Sequence, residues 1–171
     1  MQVLLIRHGR AESPDPKAPN GKADDLRKLT ADGKKRMRRT ARGLPFICPK
    51  LDAIAHSPLP RAAQTAEIVA AAYKDAGADV PLVELRELSP GKRSALALAW
   101  LQNQAPGASI ALVGHEPMLS RCAGLLVAGR ERRLVEMKKG AACLIDFPGL
   151  VAAGKGLLQT LVQPRMLRKL R

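Results

Sequence analysis

Two apolar runs that each end at a histidine constrain the fold of this chain more than any other feature. Residues 3–6 are apolar and lead into Arg7-His8-Gly9, and residues 110–113 are apolar and lead into Gly114-His115. Short apolar runs of this length are typical of buried strands. The carboxyl ends of strands in an open α/β sheet face the crevice where such proteins bind ligands. We therefore expect both histidines to face a site that, with arginines available, holds and transfers a phosphoryl group.

Strand-like and helix-like segments alternate along the chain. The pattern predicts strands at 2–7, 51–55, 80–83 and 109–114, and helices at 30–43, 61–74, 94–104 and 116–127, with Pro117 in the first helical turn. Residues 10–28 are predicted to form a loop. Residues 134–137, 141–147 and 157–162 are predicted as strands or edge elements, and the last residues as a short basic helix or a loose tail. This alternation indicates an α/β three-layer sandwich, with a mostly parallel central sheet flanked by helices. A length of 171 residues suits one domain over 1–171.

A formal net charge of +14 favours anionic partners. Much of this charge lies at 34–42 and 165–171, where a solvated helix face and a basic tail explain it. A basic nucleic-acid-binding module is a distant alternative, because two Phe, one Tyr and one Trp leave little for base stacking. No signal peptide or membrane span is evident, and no cysteine or carboxylate pattern suggests a metal. We expect a cytoplasmic protein without metal or other cofactor and without a membrane partner.

Three short segments carry the chemistry. In Arg7-His8-Gly9, a neutral imidazole can attack phosphorus, and the guanidinium can hold phosphate oxygens. Residues 57–65 follow a predicted strand and open a helix, whose free N–H groups favour anions beside Arg61. Residues 113–117 again place a histidine between a strand and a helix. Each segment alone also has an ordinary structural explanation.

Taken together, these segments resemble the three signatures of the histidine phosphatase (phosphoglycerate mutase-like) superfamily. The matching residues are Leu5-Ile6-Arg7-His8-Gly9, then Ser57, Arg61, Ala62, Gln64 and Thr65, and finally Val113-Gly114-His115. Their order and separations are also similar. The short distance between Arg61 and His115 and the stretch 24–30 resemble the SixA-type phosphohistidine phosphatases, and the similarity spans nearly the whole chain.

The resemblance implies a role for each site residue. His8 would attack phosphorus and become a transient phosphohistidine, which water would then hydrolyse. Arg7, Arg61 and His115 would surround the non-bridging oxygens and stabilise the transition state. His115 would then be at least partly protonated. Arg27 would extend the phosphate-binding pocket.

The general acid is left open by the sequence. Glu87 lies in the region where larger family members carry a carboxylic acid, Asp24 is a rival from the early loop, and a third possibility is that no acid is needed. Ser57 and Gln64 are interpreted as structural support. His56 matches no signature and is interpreted as a strand-end histidine near the site.

The hypothesis is therefore a metal-independent phosphatase with a covalent intermediate on His8. The expected substrate is phosphohistidine on a partner protein, such as a phosphotransfer domain, because no insert is available to enclose a metabolite. The alternative is a phosphatase of small phosphate esters, nucleotides or polyphosphate. Under either hypothesis, phosphate or another oxyanion should bind in the site.

Overall fold

The computed structural model describes residues 1–14 and 22–170 of the chain. Its strands are β1 (Gln2–Arg7), β2 (Ala53–His56), β3 (Leu82–Glu84), β4 (Ser109–Gly114), β5 (Ala142–Asp146) and β6 (Leu157–Val162). Its α-helices are α1 (Lys22–Leu26), α2 (Ala31–Ala41), α3 (Pro60–Asp75), α4 (Ser94–Gln102), α5 (Met118–Ala128) and α6 (Pro164–Leu167). Short 3₁₀ helices occupy Leu44–Phe46 and Arg86–Leu88. The fold is α/β, as the alternating pattern predicts.

One six-stranded sheet, with the order β3-β2-β4-β1-β5-β6, organises these elements. The first four strands in this order are parallel, and β5 runs antiparallel to both β1 and β6. Arg7 pairs with Gly114, and His56 pairs with Val113. The carboxyl ends of β1, β2 and β4 therefore lie side by side at one edge of the sheet. Because β5 is antiparallel, its first residues lie at this edge too.

Helices cover both faces of the sheet. Alternate residues of a strand point to opposite faces, and in β1 Val3 and Leu5 join the core with α4 and α5. Leu4 and Ile6 join the other core, with α2 and α3. All four side chains are fully buried, which stabilises the fold by about 1.5–3 kcal/mol for each. This packing is the predicted three-layer sandwich.

Several predicted boundaries need correction. Residues 134–137 do not form a strand: the Leu134 amide donates to Ser120 of α5, and the Met137 carbonyl accepts from the Arg7 side chain instead of from a neighbouring strand. Residues 22–26 form α1 inside the predicted 10–28 loop, whose segment 15–21 lies outside the described residues. Pro117 is the residue that precedes α5 and does not lie in its first turn. Of the basic tail, 164–167 form α6 and Arg171 lies outside the described residues.

The start of α2 follows its sequence signal closely. Thr30 has an extended backbone, and its side-chain oxygen accepts a hydrogen bond from the Gly33 amide at 2.9 Å. This is the N-cap interaction expected of threonine. Among residues 1–14 and 22–170, no helix has the length and apolar character needed to cross a membrane.

Candidate active site

The ends of β1 and β4 bring His8 and His115 together. The His8 amide donates to the Gly114 carbonyl at 3.1 Å, which continues the pairing of the two parallel strands by one residue. The two imidazole ring centroids lie 5.0 Å apart. Only 6% of His8 and 3% of His115 is exposed. The backbone ladder of the sheet thus sets the separation of two buried imidazoles.

The hydrogen bond of His8 defines which nitrogen carries the proton. Nδ1 lies 2.7 Å from the carbonyl oxygen of Gly9. A carbonyl only accepts, so Nδ1 is the donor and the lone pair of the neutral ring is on Nε2. Burial, together with the nearby Arg61 and Arg7 charges, lowers the pKa of His8 to about 4, against the effect of the Gly9 hydrogen bond. At neutral pH, Nε2 is therefore an unprotonated nitrogen that can act as a nucleophile.

Thr65 fixes the turn that follows His8. Its hydroxyl accepts a hydrogen bond from the Gly9 amide at 3.1 Å and donates to the Arg61 carbonyl at 2.7 Å. Thr65 is fully buried. A side chain on residue 9 would lie 3.3 Å from Leu29, which is a tight approach. The glycine and the threonine of the two motifs thus join the end of β1 to the first turns of α3.

The Arg61 guanidinium reaches Asp24 on α1. Nη1 donates to the Asp24 carbonyl at 2.6 Å, and Nη2 donates to its carboxylate at 3.0 Å. The second carboxylate oxygen of Asp24 forms a 2.5 Å ion pair with Arg27. Both oxygens of Asp24 therefore accept from guanidinium groups, which leaves neither placed as a proton donor. Burial lowers the pKa of Arg61, and the Asp24 charge raises it.

The Arg7 side chain is held by the segment that precedes β5. Its Nη1 donates to the Met137 carbonyl at 2.7 Å. The Gly140 amide in turn donates to the carbonyls of Arg7 and His8, at 3.0 and 3.2 Å. Burial lowers the pKa of Arg7, and the nearby Glu116 charge raises it. In the described part of the chain, the buried Nε atoms of Arg7 and Arg61 have no hydrogen-bond partner.

His115 is oriented by Ser57. Its Nε2 lies 2.9 Å from the Ser57 hydroxyl oxygen, and its Nδ1 is buried without a hydrogen-bond partner among the described residues. Burial, together with the neighbouring His8 and Arg61, lowers the pKa of His115 to about 3. His115 is consequently neutral at neutral pH. A bound dianion would oppose this shift, because an adjacent negative charge favours the protonated imidazole.

The remaining residues singled out in the sequence lie around this centre. Glu87 is half-buried on the 3₁₀ helix beside the end of β4, where the Leu88 carbonyl lies 3.6 Å from the Cβ position of residue 114. The Gln64 side chain accepts a hydrogen bond from the Leu29 amide at 2.8 Å, which supports the interpretation of Gln64 as a structural residue. His56 is buried, and its Nδ1 lies 2.9 Å from the Ser57 carbonyl.

Sequence reasoning missed two charged groups near the site. Glu116 accepts hydrogen bonds from the amide and the hydroxyl of Ser120, and its charge raises the pKa of Arg7. Lys139 precedes β5, and its charge contributes to the lowered pKa of His8. Burial lowers the pKa of Lys139, and Arg7 and Arg27 lower it further. The only signal in the sequence was a Lys-Lys-Gly run before a strand, and it points to the site only once β5 is known to be antiparallel.

This arrangement can bind a tetrahedral oxyanion beside a nucleophilic nitrogen. The Nε atoms of Arg7 and Arg61 and the Nδ1 of His115 are buried polar atoms without a hydrogen-bond partner among the described residues, and the charges of both arginines act on His8. Charge-assisted hydrogen bonds of this kind are the strong ones in proteins. Across residues 1–14 and 22–170, no group of three His, Cys, Asp or Glu side chains is placed to hold a metal ion.

Comparison with solved structures shows the same fold in phosphatases. The protein histidine phosphatase SixA in complex with tungstate is 25% identical, with a TM-score of 0.80 over 98% of this chain and 99% of that chain. A candidate phosphohistidine phosphatase SixA from Agrobacterium tumefaciens is 20% identical, with a TM-score of 0.74 over 95% and 97% of the two chains. A mycobacterial glucosyl-3-phosphoglycerate phosphatase in complex with VO₃ is 13% identical, with a TM-score of 0.69 over 95% and 99%.

Sequence comparison agrees with this likeness. An uncharacterised protein of Picosynechococcus sp. (strain ATCC 27264 / PCC 7002 / PR-6) is 34% identical over 141 residues, which are 81% of each chain. The family model of the histidine phosphatase superfamily (branch 1) matches residues 3–98, a range that contains His8 and Arg61. The chain therefore belongs to the histidine phosphatase superfamily and is a phosphatase.

Proposed function

We propose that this phosphatase removes the phosphoryl group from phosphohistidine on a partner protein, through a covalent intermediate on His8. The observation that carries the proposal is the fixed tautomer of His8. Its Nδ1–H is bound to the Gly9 carbonyl, so the lone pair is on Nε2 of a ring that lies 5.0 Å from the His115 ring and is close enough to Arg61 for that charge to lower its pKa.

In the first step, Nε2 attacks phosphorus. A new N–P bond forms while the bond from phosphorus to the leaving group breaks, and the leaving group departs with its bonding electron pair. Arg7, Arg61 and His115 would hold the three non-bridging oxygens. The two guanidinium groups, with His115 once the bound dianion favours its protonation, would supply the charge stabilisation that a metal provides in other phosphatases. In the second step, water attacks the phosphohistidine, phosphate leaves, and the lone pair returns to Nε2.

The nature of the leaving group favours phosphohistidine. An alkoxide leaving group needs a proton from a general acid, and Asp24 has both carboxylate oxygens occupied by guanidinium groups. Glu87, half-buried on the 3₁₀ helix Arg86–Leu88, stays the candidate acid. A phosphorylated imidazole can leave as a neutral ring once its other nitrogen carries a proton, so the demand for an acid is smaller.

The short chain between Arg61 and His115 also favours a protein substrate. Between Arg61 and His115 the chain forms only α3, β3, a 3₁₀ helix, α4 and β4, with no inserted subdomain to enclose a metabolite. The likeness to a SixA phosphatase that binds tungstate, an oxyanion, supports the same assignment. A phosphatase of small phosphate esters is the second candidate, because the glucosyl-3-phosphoglycerate phosphatase shares the fold.

The test compares wild type with His8→Ala on a histidine-phosphorylated phosphotransfer domain and on an aryl phosphate. His8→Ala should lose activity on both, and wild type should favour the phosphorylated domain. His56→Ala is the matched control, because His56 is also a buried strand-end histidine whose Nδ1 lies near the carbonyl of the next residue, and it matches none of the three signatures. Radiolabel trapped on wild type should be acid-labile and alkali-stable. Full activity of His8→Ala would refute the mechanism, and a preference for the aryl phosphate would refute the substrate.

A further inference from the structure

A groove with a basic lining opens beside the candidate active site. It has a volume of about 420 Å³, and Arg7 and Gly9 lie at the end next to the pocket. Five further basic side chains line it: Arg10, Arg36, Lys138, Lys139 and Arg168. These five residues define what we call the basic groove. They come from the β1 end, α2, the segment before β5, and the residue after α6.

The positive charge of the basic groove is only partly neutralised. The lining contains no acidic residue. Asp32 on α2 lies close by, at 3.7 Å from Arg10 and 2.7 Å from Arg36. Among the described residues, Asp32 is the one carboxylate that forms an ion pair with any of these five cations. The lowered pKa of Lys139, caused by burial and then by Arg7, Arg27 and Arg10, is consistent with this excess.

The walls of the basic groove are held in place by backbone contacts. The Lys138 amide donates to the Gln163 side chain at 3.2 Å, and Gln163 donates to the Glu136 carbonyl at 2.7 Å. The Gly140 amide is bound to the carbonyls at the end of β1. A Cβ atom on Gly43, just after α2, would lie 2.2 Å from the Leu167 carbonyl, so α6 packs directly against the end of α2. The cations are thus presented from a preformed surface.

We propose that the basic groove docks acidic side chains of the protein that carries the phosphohistidine, next to the phosphorylated residue. This inference rests on the proposed function and adds the surface through which the partner is recognised. The side chains of Arg10 and Arg36 are 65% and 60% exposed. Long, exposed cations from several elements suit carboxylates spread over a protein surface. Such a surface speeds encounter and selects partners more than it changes the chemical step.

The experiment reverses two charges of the groove that lie away from the catalytic pocket. The variant is Lys138→Glu with Arg168→Glu, and the matched control is Arg130→Glu with Lys155→Glu. Arg130 follows α5 and Lys155 lies between β5 and β6, so both exposed side chains are at the opposite edge of the sheet. The protein substrates are a phosphotransfer-type domain phosphorylated on histidine, with acidic residues around that histidine, and the same domain with those residues changed to amides. The small substrates are free phosphohistidine, tripolyphosphate and an aryl phosphate.

We expect the groove variant to lose at least about tenfold in kcat/KM on the acidic domain and to change less than twofold on free phosphohistidine. The control variant should change less than twofold on both. On the domain whose acidic residues are changed to amides, wild type and the groove variant should have similar kcat/KM values. The partner then has no carboxylates left to pair with the basic groove. The kcat/KM of wild type on the acidic domain should fall as the salt concentration rises, and that of the groove variant should fall less steeply. Circular dichroism and melting temperature confirm that each variant is folded.

Four results would overturn the inference, and they separate it from the proposed function. Unchanged activity of the groove variant on the acidic domain rejects docking and leaves the proposed function intact. An equal loss on free phosphohistidine shows an effect on the pocket itself. A loss confined to tripolyphosphate hydrolysis identifies a phosphate chain as the occupant. A wild type that hydrolyses aryl phosphate but neither phosphohistidine substrate rejects the proposed function, and the docking inference with it.

Discussion

The two pocket imidazoles should make the fold lose stability in mild acid. In the folded state, burial lowers the pKa of His8 to about 4 and that of His115 to about 3, from a model-peptide value of 6.5. Both rings are therefore neutral at pH 5 when folded and largely protonated when unfolded. Because the unfolded chain binds more protons, the free energy of unfolding falls as pH drops below about 6.5.

The decrease in the free energy of unfolding at pH 5 follows from the difference between pH 5 and the pKa of histidine in the unfolded chain. One pH unit corresponds to about 1.36 kcal/mol for each proton, so 1.5 units give about 2 kcal/mol for each histidine and about 4 kcal/mol for both. This sum does not depend on the size of either shift, provided that both folded pKa values lie below 5. For a domain of this size, 4 kcal/mol corresponds to a melting temperature lower by about 8–16 °C.

The assay is chemical denaturation at several pH values between 8 and 5, in a buffer without phosphate or sulfate. His8→Asn and His115→Asn should each remove about half of the pH dependence, and the double variant should remove nearly all of it. Asp32 and Asp52, whose pKa values are lowered by Arg36 and by the Ser109 amide respectively, stabilise the fold above their unfolded pKa and lose this effect only in stronger acid. A wild-type decrease below about 1 kcal/mol would refute the burial of two neutral imidazoles.

Three further predictions concern the groups around these rings. Arg61→Ala should lower turnover by at least about two orders of magnitude, as the loss of an oxyanion-stabilising donor does, and Arg61→Lys should recover only part of it; a change below threefold would remove Arg61 from the site. Thr65→Val leaves the buried Gly9 amide without its acceptor, which should lower the free energy of unfolding by about 1–3 kcal/mol, whereas Thr65→Ser should lower it less; equal losses in the two variants would contradict a role for the hydroxyl. Asp24→Asn removes a negative charge 3.0 Å from Arg61, so the inhibition constant of inorganic phosphate should fall by about three- to tenfold; a weaker inhibition by phosphate would show that Asp24 supports anion binding.

Much of the fold was predictable because the segments that matter have strong local signals. The apolar runs of β1 and β4, the Thr30 cap and the helical period of α3 are properties of neighbouring residues, and each element formed near its predicted bounds. The segment 134–137 was predicted wrongly because its apolar residues suit a strand, whereas its backbone groups bind the Arg7 side chain and α5. That interaction joins residues 130 positions apart in the chain.

The positions of the site residues could be predicted only where they follow a strand with a clear sequence pattern. His8 and His115 follow strands that the sequence marks clearly, so their meeting at one edge could be expected. Lys139 comes before a strand, and its place at the same edge depends on the antiparallel direction of β5, which no local pattern reveals. For Glu87, the role of general acid stays a prediction, because the direction of a side chain on a short 3₁₀ helix is decided by the packing around it.

The parallel pairing of Arg7 with Gly114 has an evolutionary consequence. The gap between the two imidazoles is inherited from the sheet, because a neighbouring strand lies about 4.8 Å away in any such protein. Apart from the first turns of α3, which carry Arg61 and Thr65, loops and helices between these strands can lengthen, shorten or change in sequence without altering that gap. New substrates can therefore be acquired by remodelling these other segments, while the two imidazoles keep their separation.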